Sequence, residues 1–198
     1  MDINSILIDK SKLIEKRSQD ALISSALALS QMTGETVDVV RTIVDLIKVK
    51  EIAGFIGSPD DRITLIALDV HGKISGDIYI LLSSADTMLI TKKVADKWMK
   101  ENEIEKFRNS VLAEVGNIVA SAYINVLGDS FNVALIPSVP RLEFVGGDVL
   151  IPKILSKGDS DFALMFFSEF VVGERGIKVF FFFLLSNASM QYLGGRTP

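Results

Sequence analysis

Four polar side chains between Glu103 and Val126 recur at spacings of four, three and four: Ser110, Glu114, Asn117 and Ser121. At about 100° per residue a helix places all four on one stripe. Leu112, Val115, Val119, Ala122 and Val126 fall on the opposite face, the one expected to meet a sheet. The stripe carries one carboxylate, one amide and two hydroxyls, with no Lys or Arg. Such a set can engage a cation through Glu114 while the Asn117 amide, both donor and acceptor, handles a water. An ordinary solvated helix face is the competing reading, although such faces usually mix both charge signs. Ala113, Gly116 and Ala120 lie beside the stripe, and their small side chains predict that another surface approaches the backbone there. Gly in a helix interior costs about 1 kcal/mol relative to Ala, which marks Gly116 as a position with a compensating role.

The rest of the composition narrows what this helix can be part of. The chain has 198 residues, 48% hydrophobic and 23% charged, enough apolar content to fill a core and too much for disorder. With 21 Lys plus Arg against 25 Asp plus Glu, the formal net charge is -4. No basic block offers a phosphate-binding footprint, so nucleic acid is not an expected partner. The absence of Cys excludes disulfide scaffolds, thiolate nucleophiles and zinc ribbons, and fits a cytoplasmic chain. The single histidine, His71, stands before Gly72 in what reads as a hairpin turn, which excludes histidine triads and His-rich metal sites. Carboxylates, amides, hydroxyls and lysines remain. The start lacks a basic segment followed by a long apolar one, so no secretory signal is read there. The greasiest run, Val179 to Leu185 with four consecutive Phe, falls far short of the roughly 20 residues of a membrane span. It is expected to be a buried strand, with no membrane insertion.

These residues need a scaffold, and the apolar pattern predicts one. Leu13 to Met32 has helical spacing and stops at Gly34, a C-cap residue. A β-branched run follows from Thr36 to Val40, and Ile43 to Phe55 is open between strand and helix. Ile63 to Val70 and Ile74 to Leu82 form a hairpin, and Ser83-Ser84-Ala85-Asp86 opens a helix running to about Met99. The second half repeats this order: a helix from Glu103 to Val126, a short strand from Phe131 to Ile136, then a long hairpin from Asp161 to Val171 and Ile177 to Leu185. The hairpin exits correspond, Leu82-Ser83-Ser84-Ala85 against Leu185-Ser186-Asn187-Ala188. The expected fold is α+β, a pseudo-symmetric duplication of α-β-β-β units within one domain, residues 1–198, with halves near 10–100 and 101–198. Trp98 and Met99 are expected to close the end of the third helix, and Lys92, Lys93 and Lys97 to form a solvated face. Val145-Gly146-Gly147-Asp148 is too short for a phosphate-cradling loop.

The stretch Ser110-Val-Leu-Ala-Glu114-Val-Gly-Asn117, followed after 22 residues by Pro140, resembles the pattern [Asp/Ser]-x3-Glu-x2-Asn-x22-Pro of the CheC/CheX/FliY phosphatases of chemotaxis. Glu-Val-Gly-Asn-Ile-Val-Ala-Ser-Ala-Tyr is similar to the CheC helix, and Lys73-Ile-Ser-Gly-Asp-Ile-Tyr-Ile-Leu-Leu-Ser to the first CheC hairpin. The resemblance implies a hydrolase of the aspartyl phosphate on CheY-like response regulators. Glu114 would anchor a lysine of the receiver, Asn117 would orient the attacking water, and Ser110, Ala113, Gly116 and Ser121 would line the contact. Pro140 would redirect the chain and take no part in the chemistry. The protein would bring no metal or cofactor of its own, with Mg²⁺ expected on the phosphorylated receiver. CheC-type proteins often carry the motif twice. Aligning Leu29-Ser30-Gln31 with Leu127-Gly128-Asp129 sets Lys16 opposite Glu114 and Gln19 opposite Asn117, a degenerate second site. A register shifted by one would set Glu15 and Ser18 there instead. The resemblance also admits a weakly catalytic or non-catalytic adaptor that binds CheD, or a flagellar switch component.

Overall fold

The computed structural model describes residues 3–55, 62–96, 104–155 and 162–193. Helix α1 (Ile3–Thr33) ends where Gly34 takes φ 74°, and the Gly34 N–H returns 2.8 Å to the Ser30 carbonyl. Only glycine adopts this left-handed conformation without steric cost, so the chain turns there. Strand β1 (Val37–Lys48) is longer than its β-branched start suggests. The ambiguous stretch after it divides into the end of β1 and a 3₁₀ helix, Val49–Phe55. Strands β2 (Arg62–Gly72) and β3 (Gly76–Ser83) form the first hairpin. His71 belongs to β2, paired with Ile136, and not to the turn.

Ser83 caps helix α2 (Ser84–Ala95), its hydroxyl oxygen accepting from the Asp86 N–H. The helix expected to reach Met99 ends at Ala95, and Lys97, Trp98 and Met99 lie outside the described residues. Lys93, read as solvated, pairs with Glu35 and ties α2 to the turn after α1.

Helix α3 (Ile104–Phe131) overruns its expected end, so the short strand after it shifts to β4 (Leu135–Pro137). Two elements escape sequence pattern: β5 (Arg141–Gly146) and α4 (Gly147–Leu155), the latter interrupted by Pro152. Strands β6 (Phe162–Val172) and β7 (Ile177–Leu185) form the second hairpin, followed by α5 (Asn187–Leu193).

All pairings are antiparallel, in the order β1-β6-β7-β3-β2, with β4 and β5 both pairing along β2. Exchanging the halves maps β1 onto β5, β6 onto β2 and β7 onto β3, and leaves the order unchanged. The counterpart of β1 is therefore the short strand expected after α3, β4, together with β5, which the sequence pattern did not show. Each half lends this strand to the hairpin of the other, so one sheet runs through both.

The sheet buries both faces. Ile66, Ile80, Phe166, Phe181 and Phe183 meet Leu22 and Leu29 of α1 and Leu112, Val115 and Val119 of α3. Leu65, Leu81, Phe167 and Phe182 point the other way, toward Ile52, Leu150 and Ile154. Burial on both faces is why the phenylalanine run is unbroken instead of alternating. Segment Lys106–Phe131 is long and apolar enough to span a bilayer by composition, and 56% of that window is buried inside this fold.

Candidate active site

Helix α3 lies between α1 and β2 with its apolar face inward: Leu112, Val115, Val119, Ala120 and Tyr123 are fully buried. The opposite stripe looks out. Ser110, Glu114 and Asn117 are exposed and Ser121 is half-buried. Among the described residues, neither Glu114 nor Asn117 has a hydrogen-bond or ion-pair partner within the chain. The two side chains, one turn apart, thus keep their full bonding capacity for something outside.

Gly116 and Ala120 face the other way, which corrects the expectation that they offer the backbone to a partner. Both are buried. A Cβ on Gly116 would stand 2.5 Å from Ile66 Cγ2, so the close approach explaining this glycine is α3 against β2. Ala113 is half-buried and stays at the border of the stripe.

The same Cβ would lie 3.7 Å from Pro140 Cβ, so the far end of the motif packs beside its helix. Pro140 is held there by its neighbours. The Ser138 N–H donates to the Asp69 carbonyl at 2.7 Å, and the Asp69 N–H donates to Ser138 Oγ at 2.9 Å. The Arg141 guanidinium grips the Asp69 carboxylate with two bonds, 2.6 and 2.9 Å. These bonds push the Arg141 pKa further above its ordinary value, against a smaller opposing effect of burial. Sequence reasoning missed this clamp, because Asp69 and Arg141 become neighbours only through the register of β5 on β2.

On α1 the structure separates the two possible registers. Ser18 is completely buried, and its hydroxyl lies 3.1 Å from the Tyr123 hydroxyl. Lys16 and Gln19 are exposed. Ala21, Leu22, Ser25, Ala26 and Leu29 are buried on α1 as Val119, Ala120, Tyr123, Ile124 and Leu127 are on α3. That pattern aligns Leu29 with Leu127 and places Lys16 and Gln19 at the outward positions of Glu114 and Asn117. Glu15 is exposed, but its companion Ser18 faces the core.

The profile of the CheC-like family matches residues 107–143, a segment that contains Glu114, Asn117 and Pro140. The CheY-P phosphatase CheC of Bacillus subtilis is 25% identical over 158 residues, covering 78% of this chain and 70% of that protein. Both matches are to the CheC/CheX/FliY group of chemotaxis proteins, which this chain resembles. The FliY structure of Thermotoga maritima superposes with a TM-score of 0.70 at 15% identity, covering 95% of each chain. CheX from the Borrelia burgdorferi CheX-CheY-BeF3-Mg²⁺ complex superposes at 0.56 with 16% identity, covering 85% of this chain and 97% of that one. This chain shares their α+β fold. Among its described residues, no three His, Cys, Asp or Glu side chains gather as a metal-ligand set.

Proposed function

We propose that this protein hydrolyses the aspartyl phosphate of a CheY-like response regulator, with α3 as its working edge. The observation that carries the reading is the pair Glu114 and Asn117, both exposed, one turn apart and without partners among the described residues. Support comes from the relative in Bacillus subtilis, a CheY-P phosphatase, and from the CheX fold neighbour seen in complex with CheY.

An acyl phosphate has a good leaving group, so the reaction needs an aligned water more than a strong base. The water oxygen bonds to phosphorus as the bond to the aspartyl oxygen breaks, the carboxylate departs, and the water's proton passes to the phosphate. Asn117 holds the water in line with its amide. Glu114 pairs with a receiver lysine and seats the helix in the cleft. Mg²⁺ belongs to the receiver in this scheme. Lys16 in the outward stripe of α1 repels that same lysine, so one working site is proposed.

The test is phosphate release from phosphorylated receiver by the wild type and by Asn117→Ala. Misplacing the water costs about 100-fold in turnover, with affinity for the receiver retained. Equal rates in the two proteins refute the assignment of Asn117.

A further inference from the structure

We infer that the cleft where β2 begins and β5 ends, bounded by the first turns of α2, α3 and α4, binds a single nucleotide, its phosphates on Arg62 and Arg108 and its base against Phe144. The cleft has a volume of about 780 Å³. Small-molecule sites occupy roughly 300–1,000 Å³, far more than a lone phosphate fills. The Thr87 hydroxyl of α2 donates to the Thr64 hydroxyl at 2.8 Å, which marks the helix side of β2. Arg62, two residues earlier, points to that same side. Phe144 is paired with Thr64, and Gly146 with Arg62. A glycine opposite Arg62 leaves the floor of the cleft without a side chain. The first half shows the same place filled. There Lys48 is paired with Phe162, and its Nζ lies 5.8 Å from the centre of the Phe162 ring. Arg62 has no such ring across from it, and among the described residues its guanidinium forms no ion pair.

The groups in the cleft match the parts of a nucleotide. Arg108 enters from α3, its guanidinium 5.0 Å from the centre of the Phe144 ring, a cation-π contact that holds it in place. Two guanidiniums against the one carboxylate of Asp148 make the cleft positive in a chain of net charge -4. Their planar forks fit phosphate oxygens. Phe144 is 51% exposed, so part of its ring remains open to a flat base. Asp148, exposed at the start of α4, can accept from sugar hydroxyls or base amino groups. The Ser84 hydroxyl donates to the Arg62 carbonyl at 3.2 Å and fastens the rim. Asp148 also repels a run of phosphates, which selects one nucleotide over a nucleic-acid strand. Val145-Gly146-Gly147-Asp148, too short to cradle a phosphate, thus supplies space and an acceptor instead.

The experiment titrates the full chain by calorimetry with ATP, GTP, CTP and UTP, beside inorganic phosphate, the corresponding nucleosides and a short single-stranded oligonucleotide. At least one nucleotide is expected to bind saturably, one per chain, about tenfold or more tighter than phosphate or its nucleoside. Arg62→Gln is expected to raise the nucleotide Kd about tenfold, the loss of a charge-assisted bond. Phe144→Leu raises it to a similar degree, about tenfold, and leaves phosphate binding unchanged. Both side chains are exposed, so the variants keep their fold, which their melting curves verify. Lys73→Gln, past the other end of β2, leaves the Kd as it is. Phosphate bound as tightly as every nucleotide, or the oligonucleotide bound tighter than any of them, overturns the single-nucleotide reading. No saturable binding, or binding that Arg62→Gln or Phe144→Leu leaves unaltered, overturns the site.

Discussion

The Ser18 hydroxyl of α1 and the Tyr123 hydroxyl of α3 meet at 3.1 Å in the buried seam between the two helices. A helix that turns Ser18 inward necessarily turns Lys16 and Gln19 outward, so this contact fixes the face that α1 shows to solvent. The Tyr123 ring also packs against Phe181 of the central strand pair, centroids 4.7 Å apart and planes tilted by 46°, which ties the seam to the sheet.

Burial pushes the Tyr123 phenol well above its ordinary pKa, with the Ser18 hydrogen bond a smaller opposing effect. Tyr79, buried on the other sheet face, is raised as well, first by burial and then by Asp77 and Asp69. The folded state therefore holds these protons after the unfolded chain has released them, and stability falls as pH climbs above about 10. Urea unfolding between neutral and alkaline pH should show a flat stretch followed by this decline. Tyr123→Phe should lessen the decline, while costing on the order of 1 kcal/mol at neutral pH for the lost bond. An identical alkaline slope in the variant would remove Tyr123 from the effect.

Gly116→Ala tests the contact between α3 and β2. Alanine gains about 1 kcal/mol of helix propensity over glycine, but overpacking a filled core costs about 1–3 kcal/mol. The stiff β-branched Ile66, 2.5 Å from the new methyl, has little room to yield. The expected net effect is a loss of about 1 kcal/mol, read from urea unfolding. Ile66→Ala in the same chain should relieve the strain, so that the two changes are strongly non-additive. A Gly116→Ala variant more stable than the wild type would show that the helix has space to move.

What the sequence disclosed and what it withheld divide along one line. The stripe Ser110, Glu114, Asn117 was legible because helical period alone orders it. The hairpins were legible because β-branched runs frame their turns. Strand β5 was not: its six residues, between Pro140 and Gly147, become a strand only by pairing with β2. The inward turn of Gly116 was hidden for a related reason. Its neighbour Ile66 comes from a distant strand, so a small residue at the edge of a polar stripe looked like an opening for a partner. Register on α1 was open by one residue until burial of Ser18 decided it.

Glu114→Lys separates anchoring from water positioning. If Glu114 pairs with a receiver cation, reversing its sign places like charges together, and removing one partner of a close charge pair across an interface commonly costs about 2–5 kcal/mol. Affinity for a beryllofluoride-loaded receiver should fall by more than about tenfold, whereas Asn117→Ala leaves it nearly intact. The loss should diminish at high salt if the pair remains partly solvated. Unchanged affinity for Glu114→Lys would eliminate the ion pair.

The degenerate stripe of α1 provides the strictest test of the chemistry. Lys16 and Gln19 hold the outward positions of Glu114 and Asn117, on a helix packed in the same way. Lys16→Ala alone should alter activity little, because removing a repulsive charge supplies no anchor. Lys16→Glu with Gln19→Asn restores both groups, and at saturating receiver raises turnover to at most about double if the two sites act independently. The decisive protein adds Asn117→Ala to these two changes. Hydrolysis that survives there would mean that a carboxylate and an amide one turn apart on an exposed helix suffice for the reaction. Complete loss would mean that turnover needs the surroundings found only at α3, the clamp from Asp69 to Arg141 and the proline it holds against Gly116.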